Sequence, residues 1–314
     1  MNTFSRAGGR ALVYSYSDTD PGSYYLYDED KRKIEFLGAR HKAIKPDAMP
    51  ARTPVRYVAR DGLEIPGYLT LPKGRQAKNL PLIVDVHGGP FVRGTHWGWS
   101  REPAYLASLG YAVLEPEFRG SAGWGSKLQR AGWKQWGRAM QDDLNDGADW
   151  LAREGIVDAK RVCIMGASYG GYAVMMGLAR DPKRWRCGIN MVGVTDINLY
   201  FDISWADYAY SDWIKYAAKE MVGDQDKDAA MIKAASPLER AKDIEAPVLM
   251  VYGLQDSRVP IVHGEKMRDA LTALGKPVEW VVYQEEGHDF VLERNLFDLY
   301  RRVAAFLAKH NPPD

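Results

Sequence analysis

Ser168 stands in the run Gly166-Ala167-Ser168-Tyr169-Gly170, and a serine at this spacing between glycines is typical of an activated nucleophile. An apolar run precedes the serine and a helical pattern follows it, so the serine is predicted on a sharp turn from a strand into a helix. Glycine on both sides avoids side-chain clashes at such a turn. Because a serine hydroxyl is a weak nucleophile at neutral pH, the turn predicts a histidine base nearby and a carboxylate that orients it.

Asp256 and His288 are the residues predicted for these two roles. Asp256 follows the apolar run APVLMVYG, and His288 follows the next apolar run, VEWVVYQ. Both are therefore expected at the carboxyl ends of strands, on the same edge as Ser168. Asp289 is a competing acid, but directly beside His288 it is poorly placed to turn back onto the ring. The other histidines considered are His41, His263 and His310, predicted as surface or packing residues, and His96, which stands in a loop.

Attack on a carbonyl carbon creates an oxyanion, which needs preorganised N–H donors. The backbone N–H of Tyr169 is one predicted donor. The run His87-Gly88-Gly89-Pro90 follows the apolar run LPLIVDV and predicts the other donor, because two small residues let the backbone approach a substrate. We favour Gly89 over Gly88. A tight turn without a catalytic role is the alternative for this run.

Short apolar runs alternate with helical patterns from about residue 53 onward. Nearly continuous apolar runs are expected of strands buried on both faces. The alternation predicts an α/β architecture, a doubly wound and mostly parallel sheet with helices on both faces, and the serine turn makes it an α/β-hydrolase fold. In one of the helices, three acids are predicted to form a solvated face or a cap: Asp142, Asp143 and Asp146. The predicted strands span 80–86, 111–117, 161–166, 187–193, 246–253 and 278–284.

The first 52 residues have a different pattern. Residues 11–37 alternate and turn like a small antiparallel β-meander, and Pro46 and Pro50 lie in the linker that follows. We therefore predict a meander and linker over 1–52 and a hydrolase domain over 53–314. So few strands cannot bury enough apolar surface to stand alone, so the meander must pack on the rest of the chain or on a partner. One hypothesis is that its open edges give a homo-oligomer.

Composition excludes several classes of function. The 42 basic and 41 acidic side chains nearly cancel, which disfavours nucleic acid and anionic membranes as partners and favours small-molecule or short-peptide substrates. Metal-ligand spacings and phosphate-binding loops are absent from the sequence, so no cofactor and no metal are predicted. Cys163 and Cys187 lie in apolar runs and are interpreted as core residues. The amino terminus has no apolar stretch typical of a signal peptide, and a cytoplasmic location is expected.

Six motifs together resemble the prolyl oligopeptidase family, in particular its acylaminoacyl peptidase and dipeptidyl aminopeptidase branch. The resemblance covers roughly residues 53–310 and implies a triad of Ser168, Asp256 and His288. It also implies that Arg258 hydrogen-bonds a substrate carbonyl on the acyl side, the alternative being an ordinary salt bridge. The motifs are HGGP (87–90), EFRGSAGWG (117–125), DDLNDGADWL (142–151), GASYGGY (166–172), LQDSRVP (254–260) and EEGHDF (285–290).

Two departures from the family pattern stand out. Prolyl oligopeptidase itself has a tyrosine where His87 stands, so here the oxyanion is expected to rely on backbone N–H groups. Family members also carry a β-propeller ahead of the hydrolase domain, and the meander at 11–37 resembles the last blade of one.

Aromatic residues crowd the segment after the run CGINMVG, where they are expected to line an apolar substrate pocket. Trp205 and Trp213 are the first candidates, and Phe91, beside the HGGP run, is a third.

The predicted function is a serine hydrolase that cleaves amide bonds of short or N-blocked peptides through an acyl-enzyme. A carboxylesterase acting on small esters is the alternative. A non-catalytic binding module that keeps the fold is the alternative of another class.

Overall fold

The computed structural model describes residues 3–4, 9–203 and 217–313. Its strands form two sheets. The smaller sheet contains β1 (Thr3–Phe4), β2 (Arg10–Ser15), β3 (Ser23–Asp28) and β4 (Lys33–Ala39). The larger sheet contains β5 (Arg52–Val58), β6 (Glu64–Thr70), β7 (Leu80–Val86), β8 (Ala112–Pro116), β9 (Val157–Ala167), β10 (Cys187–Met191), β11 (Val248–Gly253) and β12 (Val278–Tyr283).

Helices connect most strands of the larger sheet. They are α1 (Arg101–Ser108), α2 (Ser126–Ala131), α3 (Ala139–Arg153), α4 (Tyr169–Arg180), α5 (Ile197–Ile203), α6 (Lys219–Met221), α7 (Ala229–Ala234), α8 (Val262–Ala273) and α9 (Glu293–His310). Short 3₁₀ turns lie at Pro46–Ala48 and Pro237–Asp243. None of the helices in the described part of the chain is long and apolar enough to cross a bilayer.

The larger sheet has the strand order β12-β11-β10-β9-β7-β8-β6-β5. The six strands from β7 to β12 are parallel to one another, whereas β6 pairs antiparallel to both β8 and β5. Successive side chains of a strand point to opposite faces, and Ile83 accordingly packs with α1 and α9 while Leu82 and Val84 pack with α3, α4 and α8. The prediction of a doubly wound, mostly parallel α/β-hydrolase sheet is confirmed.

Strand β12 differs from the other parallel strands. The run 278–284 was expected to be buried on both faces, but β12 lies at the edge of the sheet and only Val281 and Tyr283 are buried. An edge strand has a neighbour on one side only, so part of its apolar surface stays in contact with water. An apolar sequence run therefore did not distinguish an edge strand from a central one.

The sequence predicted that the three acids on α3 form a solvated face or a cap. Two of them are instead buried. Asp143 is fully buried and Asp146 is 7% exposed. Asp143 accepts hydrogen bonds from the backbone and the guanidinium of Arg119, and Asp146 accepts from Arg60. Burial raises the pKa of Asp143 to about 6, although the contacts with Arg119 oppose that rise. These arginines lie far along the chain from α3, so helical spacing alone did not reveal them.

The two cysteines are core residues, as interpreted from the sequence, but the sequence did not reveal that they are bonded to each other. Cys163 on β9 and Cys187 on β10 are joined by a disulfide. The two residues are direct partners in the parallel pairing of these strands, and their Cα atoms are 4.8 Å apart. Both are fully buried, as the apolar context predicts. The bond follows from strand register, which the spacing of the two cysteines did not reveal.

The smaller sheet contains the predicted meander and the additional short strand β1. Its strands pair antiparallel in chain order. The turn after β2 contacts the rest of the chain. The carbonyl oxygen of Ser17 accepts the backbone N–H of Trp99, and the carboxylate of Asp18 accepts the backbone N–H of Arg52. Edge strand β4 is exposed, with Ile34 60% and Phe36 58% accessible. The meander thus packs on the rest of the chain and leaves an apolar edge in water.

Candidate active site

Ser168 occupies the turn between β9 and α4. Its φ angle is +60°, a left-handed conformation that L-residues rarely adopt. The flanking glycines are required by close packing against β7, because a side-chain carbon would lie 2.5 Å from the Val86 carbonyl oxygen at Gly166 and 1.9 Å from it at Gly170. The Ser168 N–H donates to the Met191 carbonyl at 3.0 Å. The turn is therefore held from two neighbouring strands.

Asp256 and His288 lie at the carboxyl ends of β11 and β12. Nδ1 of His288 is 2.7 Å from Oδ2 of Asp256. The other carboxylate oxygen of Asp256 accepts the backbone N–H groups of Arg258 and Val259, at 2.8 and 2.9 Å. The Asp256 side chain is fully buried, whereas that of His288 is 13% exposed. The buried carboxylate is thus fixed by its own loop, and the ring that it orients reaches toward the surface.

Glu286 holds the loop that carries His288. Its fully buried carboxylate accepts the N–H groups of Val291 and Leu292, each at 3.0 Å, and the side-chain amide of Asn295 at 2.8 Å. Burial alone would raise the pKa of Glu286, but the hydrogen bonds from Val291, Asn295 and Leu292 outweigh it and keep the pKa below its ordinary value. The carboxylate closes the loop on both sides of the histidine.

The HGGP run lies beside the serine turn, as predicted. A side-chain carbon on Gly88 would lie 3.3 Å from Cβ and 3.9 Å from Oγ of Ser168. Gly89 follows with a φ of +118°. Tyr169 is the first residue of α4, where backbone N–H groups have no partner within the helix. The two predicted sources of oxyanion donors are therefore next to the same hydroxyl.

Buried carboxylates hold the chain segment that follows the HGGP run. Glu117 is fully buried and accepts the backbone N–H groups of Gly94 and Thr95. Arg52, 4% exposed, makes a two-point ion pair with Glu115 and also donates to the carbonyl groups of His96 and Gly98. His96 lies in this loop, where its backbone carbonyl accepts the hydrogen bond from Arg52. This ion pair and Glu117 tie residues 94–98 to the sheet.

A cavity of about 390 Å³ lies behind the HGGP run and reaches Ala167, the residue before Ser168. Asp85, Glu102 and Glu115 all line it. Burial and the negative charge of Glu115 raise the pKa of Glu102 to about 7. Burial, together with the charges of Glu102 and Glu115, raises the pKa of Asp85 well above its ordinary value. The cavity wall thus favours protonated carboxyl groups.

The structure describes two of the four residues that the sequence predicted to contact substrate. Arg258 is half-buried two residues after Asp256, and Phe91 is half-buried beside Gly120 near the HGGP run. Trp205 and Trp213 lie outside the residues that the structure describes.

His263 was predicted from the sequence to be a surface or packing residue. It is fully buried, and its Nδ1 accepts the Thr195 N–H at 3.3 Å. Burial lowers the pKa of His263 to about 3.

Sequence reasoning did not assign a role to Glu286 or to Glu117, although both stand in motifs that it singled out. Each is a charged residue within a short motif next to a predicted strand end. A buried charge needs partners, and at such places the partners are the N–H groups of a loop. The position of the two acids between apolar strands and functional loops was the available signal.

A parallel sheet that presents a serine on a left-handed turn and a hydrogen-bonded His–Asp pair at neighbouring strand ends is the arrangement of the α/β-hydrolases. Residues 97–312 match the model of the prolyl oligopeptidase family, which is more than half of the chain. The chain belongs to that family, and the resemblance noted in the sequence is confirmed.

Relatives and solved structures show how much of the fold is shared. The chain is 34% identical to dipeptidyl aminopeptidase BIII of Pseudoxanthomonas mexicana, over 96% of this chain and 44% of that protein. It is 30% identical to dipeptidyl peptidase family member 6 of Caenorhabditis elegans, over 94% and 43%. The acylaminoacyl peptidase structure from Pyrococcus horikoshii superposes with a TM-score of 0.84 at 24% identity, over 99% of this chain and 49% of that one. The chain therefore spans less than half the length of these proteins.

Proposed function

We propose that this chain is a serine hydrolase that cleaves amide bonds of short or N-blocked peptides through an acyl-enzyme. The observation that carries the proposal is the 2.7 Å contact between His288 and Asp256, at the same sheet edge as the strained turn of Ser168. A buried carboxylate that fixes one ring nitrogen leaves the other available as a base. Ser168, His288 and Asp256 then act as nucleophile, proton carrier and orienting group.

The reaction follows from these roles. Oγ of Ser168 attacks the carbonyl carbon while Nε2 of His288 takes its proton, and the N–H groups of Tyr169 and Gly89 stabilise the oxyanion. The tetrahedral intermediate collapses as His288 returns the proton to the leaving amine, so the C–N bond breaks and an ester to Ser168 remains. Water, deprotonated by His288, then attacks the carbonyl carbon of this ester. The bond to Oγ of Ser168 breaks, His288 returns the proton to Oγ, and the acid is released.

The family supports peptides as substrates. Three relatives, one named as a dipeptidyl aminopeptidase and two as acylamino-acid-releasing enzymes, align with 80–96% of this chain at 24–34% identity. We assign Arg258 to the substrate carbonyl on the acyl side, since its loop also positions Asp256. Phe91, Trp205 and Trp213 are proposed to contact the side chains of the substrate.

A rate panel tests the activity and its substrate class. Wild type and Ser168→Ala are compared on short-chain p-nitrophenyl esters and on acyl-, alanyl- and prolyl-p-nitroanilides. Anilide cleavage that depends on Ser168 is the expected result. Turnover of the esters alone would instead identify a carboxylesterase, because esters need less assistance to the leaving group than amides. No Ser168-dependent turnover of either class would favour a binding module that keeps the fold.

Self-association is a separate proposal. We propose that the exposed edge strand β4 pairs with its copy in a second chain, because Ile34 and Phe36 present apolar surface beside unpaired backbone groups. Mass measurements by light scattering at micromolar concentrations should give a dimer, and Phe36→Lys should give a monomer. A monomeric wild type would reject the proposal.

We keep a cytoplasmic location as a proposal. The Cys163–Cys187 disulfide argues against it, because disulfides are uncommon in reducing compartments. Fractionation of the cells that make the protein, followed by immunodetection, tests the location directly.

A further inference from the structure

Val192, the residue that follows strand β10, has a left-handed backbone. Its φ angle is +43°, a conformation that is strained for a β-branched residue. Such strain persists only where the surrounding structure holds it in place. Val192 is buried, and its neighbour Met191 provides the carbonyl that accepts the N–H of Ser168 at 3.0 Å. The strained residue therefore lies next to a contact that holds the turn of the nucleophile.

The hydroxyl of Tyr252 connects the residues on either side of this left-handed turn. A carbonyl oxygen can only accept, so the hydroxyl donates to the carbonyl of Gly193, at 2.7 Å. The hydroxyl oxygen in turn accepts the side-chain amide of Asn190 at 3.2 Å. Asn190 precedes Met191 and Val192 in the chain and Gly193 follows them, so one buried hydroxyl ties both ends of the segment 190–193.

Packing fixes the ring that carries this hydroxyl. Tyr252 is fully buried on β11, and its ring centroid lies 5.3 Å from that of Trp280 on β12. Gly264 on α8 leaves room for the ring, since a side-chain carbon there would lie 2.5 Å from Cε2 of Tyr252. Burial raises the pKa of Tyr252 above its ordinary value, so the hydroxyl keeps its proton at neutral pH. The donor to Gly193 is therefore both held in place and permanently protonated in the folded protein.

The segment 190–193 also packs against the first turn of α4. A side-chain carbon on Gly193 would lie 2.6 Å from the carbonyl carbon of Gly171, and one on Gly171 would lie 2.9 Å from the carbonyl oxygen of Met191. Backbone segments this close cannot shift independently. Since β11 leads to Asp256, the Tyr252 hydroxyl connects the strand of the aspartate with the strand end and the helix that flank Ser168.

We propose that Tyr252 is a positioning residue for Ser168. Its hydroxyl holds the left-handed turn at Val192, and that turn keeps the Met191 carbonyl on the N–H of Ser168. The inference rests on the proposed hydrolase function and extends it to the side chain that joins β10 to β11. Catalysis is sensitive to such positioning, because a small displacement of a reacting group lowers the rate of attack strongly.

Tyr252→Phe removes the hydroxyl and keeps the ring. Tyr111→Phe is the matched control, because the hydroxyl of Tyr111 is on a fully buried side chain and donates to the Asn311 carbonyl at 2.9 Å. Tyr111 directly precedes β8, so it lies at the sheet edge opposite the carboxyl ends of the strands. Each variant loses a buried hydroxyl-to-carbonyl hydrogen bond, and only Tyr252→Phe loses one beside the serine turn.

The measurements are kcat and KM on a p-nitrophenyl ester, the rate at which a fluorophosphonate labels Ser168, and the thermal unfolding midpoint. We expect kcat of Tyr252→Phe to fall about 10- to 100-fold, with KM within about twofold of wild type and labelling slowed by a similar factor to kcat. Tyr111→Phe should lower the unfolding midpoint by a comparable amount and keep kcat within about twofold of wild type.

Val192→Gly tests the left-handed turn itself. Glycine adopts a positive φ without strain, so the turn should then depend less on the hydroxyl. In the Val192→Gly background we expect Tyr252→Phe to cost less than about threefold in kcat. Val192→Ala is the control, because it also loses the buried side chain but keeps a Cβ that disfavours positive φ, and there the cost should exceed about fivefold.

Other outcomes overturn the inference. If folded Tyr252→Phe keeps the wild-type kcat and labelling rate, positioning is rejected and the proposed hydrolase function stands. Equal losses of kcat in Tyr252→Phe and Tyr111→Phe also reject it, because the effect is then one of stability. If Tyr252→Phe does not fold, Asn190→Ala decides, since it removes the donor to the hydroxyl, and an unchanged labelling rate there rejects the role. A wild-type protein that neither hydrolyses the ester nor takes label at Ser168 rejects the proposed function, and this inference with it.

Discussion

Asp256 divides its carboxylate between His288 and its own loop. Oδ2 lies 2.7 Å from Nδ1 of His288, while Oδ1 accepts the N–H groups of Arg258 and Val259. The aspartate cannot rotate without breaking one of these sets of contacts. The orientation of the imidazole is therefore built into the turn that follows β11.

Replacing Asp256 by Asn tests this orientation. The amide keeps an oxygen for the loop N–H groups but presents an NH₂ group to the histidine, which favours the wrong tautomer. We expect kcat to fall by about 10⁴-fold, as in other Ser–His–Asp systems, with an unfolding midpoint close to that of wild type. Ester turnover and thermal unfolding are the measurements. A loss of less than tenfold in a folded variant would contradict an orienting role for Asp256.

Glu286→Gln should weaken the loop that carries His288. One of the two carboxylate oxygens is replaced by an NH₂ group, which cannot accept the loop N–H groups. We expect a loss of about 1–3 kcal/mol in the free energy of unfolding at pH 7, measured in urea. We also expect a decrease in kcat, because the histidine is no longer held in place.

The same variant has a defined pH dependence. The folded pKa of Glu286 is depressed, so its stabilisation is present above the unfolded pKa of 4.5 and is lost as the pH falls through the folded value. The difference between wild type and Glu286→Gln should therefore shrink below about pH 4. Glu285→Gln is the matched control, since Glu285 is exposed and pairs with exposed Arg294. Equal effects at the two positions would contradict the role of Glu286 in holding the loop that carries His288.

Glu102→Gln should stabilise the protein at alkaline pH. The folded pKa of Glu102 is about 7, above its ordinary value of 4.5. The native state holds a proton that the unfolded state releases, so this group's contribution to stability decreases as the pH rises from 4.5 to 7. We expect the variant to exceed wild type by on the order of 1–2 kcal/mol at pH 8 and to match it below pH 4.5.

Urea unfolding at both pH values provides the comparison, with the exposed Glu154→Gln as control. A variant that is no more stable than wild type at pH 8 would show that the cavity wall does not disfavour the ionised carboxylate.

The Cys163–Cys187 disulfide is tested by counting thiols. The chain has two cysteines, so unfolding in denaturant without reductant should expose no titratable thiol. Reduction should lower the free energy of unfolding by about 2–4 kcal/mol, because the bond closes a chain segment whose opening adds entropy to the unfolded state. Two reactive thiols in the unreduced, unfolded protein would contradict the bond.

The arrangement of strands and helices was largely predictable from residues 53–314. Buried parallel strands are continuous apolar runs, and helices have a different period, so the alternation of β7 to β12 with helices was visible in the sequence. Short helix α2 and strand β1 were not predicted, since a few residues contain no measurable period. The edge position of β12 was also invisible, because strand order depends on contacts between distant segments.

The active-site residues were also predictable from sequence only in part. Ser168, Asp256 and His288 follow strand ends, and in a parallel sheet those ends meet at one edge, so their placement at that edge was predictable from sequence. The contacts of Asp143 with Arg119 and of Cys163 with Cys187 were not, because each depends on the register of segments that are distant in sequence. The role of Glu286 required the positions of loop N–H groups, which no residue type reveals.

Covalent labelling of Ser168 tests the central claim most directly. Folded wild-type protein is treated with a fluorophosphonate, digested and examined by mass spectrometry. We predict one adduct, on the peptide that contains Ser168, with no adduct in Ser168→Ala and much slower labelling in Asp256→Asn. A folded wild-type protein that takes no label, or that takes it at another residue, would contradict the assignment of Ser168 as the activated nucleophile.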